Sequence, residues 1–123
     1  MSELSKILRS QEGGRIAFWC PGCDEAHAVN ATWTFDGNVH APTFTPSIMV
    51  TGTKLTPEGE AMIDEDIAKQ VIRTGDFQYP SVDTCCHSFV RAGRIEFLGD
   101  CTHKLAGQTV SLPEWPSRGN DNG

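Results

Sequence analysis

The chain has 123 residues, a length that fits a single domain with a modest core. Hydrophobic residues make up 38% and charged residues 21%, which is typical of a globular protein and excludes a disordered one. A formal net charge of −6 argues against binding to nucleic-acid phosphates, since like charges repel. No apolar run approaches the roughly 20 residues that cross a membrane, and residues 1–11 lack the apolar core of a signal peptide. We therefore expect a cytoplasmic protein.

In chain order, the sequence predicts a β-rich (α+β) domain over residues 1–112, a small antiparallel sheet or sandwich with one inserted helix. Residues 1–12 are polar and predict a short helix or a loose arm. The strands of the first half follow from β-prone apolar stretches and from a segment that its prolines keep extended. They are residues 15–20, 28–35, 42–47 and 48–51, with a hairpin turn at Asp36-Gly37.

Residues 53–80 differ in character, and we interpret them as a helical insertion. Thr56-Pro57 resembles an N-cap followed by proline at the first helical position. Apolar residues then recur every four positions, at Ile63, Ile67 and Val71. Gly75 is a natural stop, so the pattern predicts a helix over residues 56–75.

The remaining strands form a hairpin and one last segment. Residues 86–90 and 95–98 are β-prone on either side of Arg91-Ala92-Gly93-Arg94, which predicts a β-hairpin. Residues 108–112 predict a final strand. The tail, residues 113–123, is rich in Pro, Gly, Asn and Asp, and we expect it to be flexible.

The five cysteines carry the clearest chemical signal. In a reducing cytoplasm, cysteine clusters indicate metal binding or catalysis more often than disulfides. Cys20-Pro21-Gly22-Cys23 places two thiols across a tight turn after a strand, which is typical of a zinc knuckle. A thioredoxin-type redox pair would begin a helix at the first cysteine, and here β-prone residues follow instead. We therefore predict Zn²⁺ as the cofactor.

The second half of the metal site should come from the hairpin and the segment that follows it. The candidate ligands are Cys85, Cys86, His87, Cys101 and His103, with His27 as a further option. Strand residues alternate between faces, so the turn decides which side chains converge. A two-residue turn at Ala92-Gly93 directs Cys86 toward the metal, whereas a three-residue loop directs His87 there.

We favour Cys86, because a thiolate binds zinc well beside another thiol pair, and we favour His103 over Cys101. The predicted metal ligands are therefore Cys20, Cys23, Cys86 and His103. The sequence leaves open whether Cys101, His27 or His87 takes the place of one of these four ligands. A structural zinc is closed by four protein ligands, whereas a catalytic zinc keeps one position for water.

Hydrolysis would need an acid–base group beside this second half-site. A zinc-bound water has a pKa of about 7 and reacts with the help of a general base. Asp100 and Glu96 flank the half-site, and we predict Asp100 as the base. With a two-residue turn, His87 shares a face with Asp100, so the two side chains can form an acid–base pair. Ser47, on its proline-stiffened segment, is the third predicted catalytic residue, placed to bind substrate or to polarise a carbonyl.

Taken together, these motifs resemble a family of small phage and bacterial proteins of unknown function. The resemblance spans about residues 15–112 and rests on CPGC with His27, PTFTPS (42–47), CHSFV (86–90), GRIEF (93–97), DCTH (100–103) and LAGQTV (105–110). Phage members are often labelled "ammonia monooxygenase", which is the chemistry of a membrane copper enzyme and does not follow from these residues. Some bacterial relatives are encoded beside ubiquitin-like conjugation genes, and the family is thought to act there as a zinc peptidase.

Two hypotheses about function follow. The resemblance implies a phage-type zinc-dependent hydrolase acting on peptide or isopeptide-type bonds, in the host cytoplasm if the protein is phage-encoded. The alternative is a non-catalytic structural-zinc module that binds a host protein. Both imply a protein or peptide partner rather than nucleic acid or membrane, and neither determines the oligomeric state. The number of protein ligands on the metal distinguishes them.

Overall fold

The computed structural model describes residues 2–116 and contains two antiparallel β-sheets and, within those residues, a single helix. The β-rich class with one helix is therefore confirmed. The first sheet has four strands in chain order, each paired with the next. They are β1 (Ser2–Glu3), β2 (Leu8–Gln11), β3 (Arg15–Cys20) and β4 (Glu25–Val29).

The second sheet has five strands, which also follow chain order. They are β5 (Thr34–Phe35), β6 (Phe44–Leu55), β7 (Ser81–Arg91), β8 (Arg94–Phe97) and β9 (Thr109–Ser111). The helix, α1 (Pro57–Ala68), lies in the connection from β6 to β7. Within the described part of the chain, no helix has the length and hydropathy required to span a membrane.

The chain divides into two compact units. One comprises the residues up to Val50 together with those from Cys85 onward, and the other is Thr51–Thr84. The second unit contains α1 and lies close to the range that the sequence marks as an insertion. Both β6 and β7 begin in one unit and end in the other.

Alternation along the strands builds the core of the first unit. Every second residue of β7 from Cys86 to Val90 is buried, and the residues between them face the opposite side of the sheet. Phe18 of β3 stacks on Phe44 of β6 with ring centroids 6.1 Å apart, so the two sheets share one core. The largest fully buried side chains include Leu8, Phe18, Phe44, Val90, Ile95 and Phe97.

The hairpin between β7 and β8 has a two-residue turn, the first of the two alternatives that the sequence leaves open. Val90 pairs with Ile95 and Arg91 with Arg94, which leaves Ala92-Gly93 as the turn. Both turn residues have positive φ, 51° and 79°, as the tightest hairpin turns require. Cys86 therefore points into the core, and His87 lies on the outer face.

The N-terminal segment and the end of the helix differ from the sequence predictions. Residues 1–12 contain β1 and β2 rather than a helix, because Leu8 is buried and pairs with Phe18. The helix has the predicted cap, with the Thr56 hydroxyl accepting from the Gly59 amide, but it ends at Ala68 rather than near residue 75. Gln70 adopts φ of 57°, a left-handed conformation that an α-helix cannot continue through.

The predicted strand over residues 28–35 is interrupted, so that β4 and β5 belong to different sheets. Asn30 Oδ1 accepts a hydrogen bond from the Thr32 amide at 2.9 Å and turns the chain there. The turn predicted at Asp36-Gly37 is the start of a longer loop. Asp36 Oδ1 accepts from the Thr43 amide across that loop at 3.2 Å.

The start of the predicted flexible tail is attached to the first sheet. The backbone amide of Trp115 donates to the Lys6 carbonyl at 3.0 Å, and the Trp115 indole N–H donates to the Ile7 carbonyl at 3.1 Å. The Trp115 ring also meets Trp19 edge-on, with centroids 5.6 Å apart. Residues 117–123, the rest of that predicted tail, lie outside the described residues.

Candidate active site and metal centre

Ser47 lies on β6, on the face opposite the buried Ile48. It follows Pro46, whose peptide bond to Thr45 is cis. The Trp33 indole N–H is shared by the carbonyls of Pro46 and Ser47, at 3.1 and 3.3 Å. A side chain from a separate loop thus fixes the backbone that carries the Ser47 hydroxyl.

His87 lies on the outer face of β7 and contacts two of the other predicted residues at once. Its Nε2 is 3.2 Å from Ser47 Oγ, and its Nδ1 is 3.2 Å from Asp100 Oδ2. The imidazole therefore bridges a hydroxyl and a carboxylate through its two nitrogens. The structure thus brings together the three residues that the sequence singles out for catalysis.

Asp100 reaches His87 because the segment after β8 runs back along β7. The Leu98 amide donates to the His87 carbonyl at 2.9 Å, and the Thr102 amide donates to the Cys85 carbonyl at 2.9 Å. These bonds hold the backbone on both sides of Asp100. Its carboxylate is about half exposed, with 52% of the side chain accessible, so the bridge with His87 lies at the surface.

A serine, an imidazole and a carboxylate in this order form a recurring arrangement in hydrolases. The imidazole takes the proton of the hydroxyl as it attacks, and the carboxylate holds the ring in the required tautomer and orientation. The distances at Ser47, His87 and Asp100 fall within or just beyond hydrogen-bond reach, as such contacts do before substrate binds. The geometry can therefore support acyl transfer.

On the opposite face of β7, four side chains converge in the core of the first unit. The ligand atoms of this metal cluster all lie within 4.8 Å of one another, and they belong to Cys20, Cys23, His27 and Cys86. The sulfurs of Cys20 and Cys86 are 3.7 Å apart. The Cys23 amide donates to the Cys20 sulfur at 3.4 Å, as expected of a zinc knuckle, in which backbone N–H groups stabilise thiolates.

His27 suits a metal ligand. It is buried, its Nδ1 lies 4.0 Å from a Glu25 carboxylate oxygen, and within residues 2–116 its buried Nε2 has no hydrogen-bond partner. The nearby carboxylate favours the tautomer with its proton on Nδ1, which leaves the Nε2 lone pair for a metal. The structure thus places a ligand-type nitrogen beside the three sulfurs.

His103 lies next to this cluster in a different chemical state. Its Nε2 is 3.5 Å from Cys86 Sγ, and its Nδ1 accepts the Leu105 amide at 3.2 Å. Since Nδ1 accepts, a neutral ring carries its proton on Nε2, where it can donate to the Cys86 sulfur. The ring packs so closely over Gly22 that a Cβ there would collide with it.

The thiols of the cluster influence one another's ionisation. A hydrogen bond from Cys86 is the largest cause that lowers the pKa of Cys20, to about 4. The same pairing raises the pKa of Cys86, and burial raises that of Cys23 to about 11. One thiolate is favoured and further ones are repelled, so three thiolates here require a cation. The cluster therefore fits a divalent metal that prefers sulfur and imidazole, such as zinc.

The other candidates from the sequence have different surroundings. Glu96 pairs with Arg91 at 3.1 Å, and Cys85 lies half-buried on the outer face of β7. Cys101 is within 4.8 Å of Cys86 and His103, but its sulfur also contacts the backbone of His87. Sequence reasoning missed the role of Trp33, and no local signal points to it, because the indole reaches Ser47 only through the fold.

Comparison with known protein families matches residues 2–98 to the family described as "Bacterial ubiquitination-like system serine protease (BubE)". Neither the curated proteins nor the solved structures give a match. The matched range includes Ser47 and His87 but ends before Asp100, so the family match gives no support for Asp100, whose place in the site depends on its contact with His87. The description names a serine protease, whereas the motif resemblance implied a zinc peptidase. The match covers most of the chain, which therefore belongs to the BubE family of bacterial ubiquitination-like system serine proteases.

Proposed function

We propose that this protein is a serine protease in which Ser47 is the nucleophile, His87 the general base and Asp100 the residue that orients His87. The observation that carries the proposal is the His87 ring, which lies 3.2 Å from both the Ser47 hydroxyl and the Asp100 carboxylate. The family description, which names a serine protease, supports the same assignment.

The steps follow from these contacts. Ser47 Oγ attacks the carbonyl carbon of the substrate while its proton passes to His87 Nε2. His87 then returns the proton to the departing amine as the carbon–nitrogen bond breaks, which leaves an ester on Ser47. A water molecule attacks the ester and gives its proton to His87, and His87 returns that proton to Ser47 Oγ as the ester bond breaks, which releases the acid and restores the hydroxyl.

In this proposal Asp100 has a different role from the one that the sequence suggested. As general base of a zinc-dependent hydrolase, Asp100 would act on a metal-bound water. The contact of its carboxylate with His87 Nδ1 supports a different role, in which Asp100 orients the ring and stabilises the imidazolium formed during the reaction. The metal cluster lies on the other face of β7, where four protein groups would supply the ligands of a closed metal site.

We further propose that Cys20, Cys23, His27 and Cys86 hold a structural zinc. Three cysteines and one histidine are a common closed set for zinc. His27 takes the place predicted for His103, whose Nε2 proton faces the Cys86 sulfur instead. The chemistry that zinc would supply is a cross-link that holds three thiolates and fixes β7, the strand that carries His87.

For the substrate, we propose a peptide or isopeptide bond formed by a ubiquitin-like modifier. The support is the family description, which places its members in a bacterial ubiquitination-like system. The partner is then a protein, and the site of action is the cytoplasm. The second hypothesis, a non-catalytic zinc module that binds a host protein, predicts the same metal but an unreactive Ser47.

A fluorophosphonate probe tests the catalytic assignment without knowledge of the substrate. Attack by Ser47 Oγ on phosphorus releases fluoride and leaves the probe on the serine, with the proton passing to His87. We expect labelling of the wild type at Ser47, none of Ser47→Ala, and labelling slowed by about 10³- to 10⁴-fold in Asp100→Asn, with metal content and fold unchanged. A folded, metal-loaded wild type that resists labelling would favour the non-catalytic module.

A further inference from the structure

Cys101 is a nearly buried cysteine, 9% exposed, whose thiol makes two hydrogen bonds to one residue. The His87 amide donates to Cys101 Sγ at 3.2 Å, and the thiol S–H donates to the His87 carbonyl at 3.2 Å. The side chain thus pairs with both backbone groups of His87, as a neighbouring strand would.

The bonds between Cys101 and the His87 backbone begin where the regular pairing of β7 with β8 ends. Strand β8 pairs with β7 from Arg91 to Ser88, and the Leu98 amide adds one bond to the His87 carbonyl at 2.9 Å. Cys101 is the group that receives the His87 amide. Its neighbour Asp100 holds the imidazole of the same residue at 3.2 Å. Asp100 therefore holds the ring of His87, and the next residue, Cys101, holds its backbone.

We propose that Cys101 is a positioning residue of the active site, whose thiol fixes the backbone of His87 so that the imidazole stays between Ser47 and Asp100. This inference rests on the proposed protease function. Reactivity of a hydroxyl toward a carbonyl or phosphorus centre depends steeply on alignment, and a displacement of about 1 Å costs on the order of a hundredfold in rate. A loosened His87 backbone would produce such displacements.

A role for Cys101 as a metal ligand fits the contacts less well. Zinc binds the thiolate form of cysteine, whereas the bond from Cys101 to the His87 carbonyl requires the S–H proton. The positioning role and the metal-ligand role predict different results for Cys101→Ser. A hydroxyl can both donate to and accept from the His87 backbone, but it is a poor substitute for a zinc thiolate.

The experiment compares Cys101→Ser with Cys101→Ala, and uses Thr102→Val as the matched control. Thr102 makes a similar pair of side-chain bonds, at 3.0 and 3.2 Å, but to the backbone of Cys85 rather than of His87. Three measurements are made on the full-length, metal-loaded protein. They are the rate of fluorophosphonate labelling, the hydrogen-exchange rate of the His87 amide by NMR, and the metal content.

We expect Cys101→Ala to slow labelling by roughly ten- to a hundredfold and to speed exchange of the His87 amide, without loss of metal. Cys101→Ser should restore both properties to within about threefold of wild type, and Thr102→Val should leave both nearly unchanged. The alanine variant should slow the rate of bond formation and leave the probe concentration for half-maximal labelling unchanged, since Cys101 does not reach the probe.

If the wild type is labelled, three results would overturn the inference. The first is wild-type amide exchange in Cys101→Ala, the second is equal impairment of the serine and alanine variants, and the third is loss of metal from both. If the wild type is never labelled, the protease proposal fails. Should Cys101→Ala then speed exchange of the His87 amide and Cys101→Ser restore slow exchange, Cys101 would be a structural contact only. That result too overturns its role in an active site.

Discussion

Adjacent residues of β7 serve opposite faces of the sheet. Cys86 points into the core toward Cys20, and its sulfur lies 3.7 Å from that of Cys20. His87, the next residue, points outward and contacts Ser47 and Asp100. This division follows from the period of two along a strand, so the proposed metal site and the proposed catalytic site can use neighbouring residues without sharing a side chain.

The identity of the fourth metal ligand is a prediction at this scale. His27→Ala should lower the zinc content of the purified protein below one equivalent, because it removes the nitrogen that lies within 4.8 Å of the three sulfurs. His103→Ala is the matched control and should retain one equivalent, with affinity reduced by about 10- to 100-fold as for other groups that hydrogen-bond a ligand. Elemental analysis and titration against a chelator measure both. The reverse pattern would restore His103 as the ligand.

At the scale of elements, the loop after α1 is held by one buried carboxylate. Asp66 accepts two hydrogen bonds from Arg73, at 2.7 and 3.0 Å, and one from the Tyr79 hydroxyl at 2.7 Å. The bonds from Arg73, followed by that from Tyr79, hold the pKa of Asp66 below its usual range. The network therefore ties residues on both sides of Gly75 to the helix, although Ile67 on that helix is 71% exposed.

The lowered pKa of Asp66 predicts an acid-sensitive element. A carboxylate with a depressed pKa stabilises the folded unit fully above its unfolded pKa of about 3.9, and this stabilisation is lost as the pH falls through the lower folded value. We expect amide protection in α1 to fall in that acid range for the wild type, and to be low and less dependent on pH in Asp66→Asn. Hydrogen exchange monitored by NMR between pH 2 and 6 measures the difference.

Glu65→Gln provides the control for this prediction, since Glu65 pairs with Lys69 on the exposed surface of the same helix. Exposed pairs at this spacing contribute little, so the variant should follow the wild-type profile. If Asp66→Asn also follows that profile, the acid response comes from other carboxylates and the network does not control the loop.

At the scale of the whole molecule, the proposed zinc would join the two sheets. Cys20 ends β3 and His27 lies in β4 of the first sheet, while Cys86 belongs to β7 of the second. A small domain buries limited apolar surface, so a metal cross-link between sheets can contribute a large part of its stability. Loss of the metal should therefore affect the entire first unit.

Cys20→Ser should lower bound zinc and unfold the protein at a much lower temperature. A loss of about 3 kcal/mol or more would lower Tm by roughly 10 °C or more for a chain of this size. Cys85→Ser, whose thiol is half-buried outside the cluster, should remain within a few degrees of wild type. Calorimetry with and without chelator measures both, and a chelator-insensitive wild-type Tm would contradict the structural role of zinc.

Much of the architecture was readable from residue patterns. β-Prone stretches indicated β3, β8, β9, the first part of β6 and the second part of β7, and Thr56-Pro57 indicated the start of α1. The predictions were wrong where tertiary contacts outweigh local pattern. Leu8 draws a polar N-terminal segment into the first sheet by pairing with Phe18, and the apolar spacing that continues past Ile67 does not prolong the helix.

The sequence by itself determined that Cys20 and Cys23 lie close together, because they are joined by a local turn whose geometry depends on a few neighbouring residues. It also limited the catalytic candidates to Ser47, His87 and Asp100 without determining how they cooperate. Only the tertiary structure decided that the three side chains meet, since His87 lies 40 residues from Ser47 and 13 from Asp100 along the chain. Strand alternation specifies which face a residue occupies, but the turn register and the order of strands in the sheet specify its neighbours.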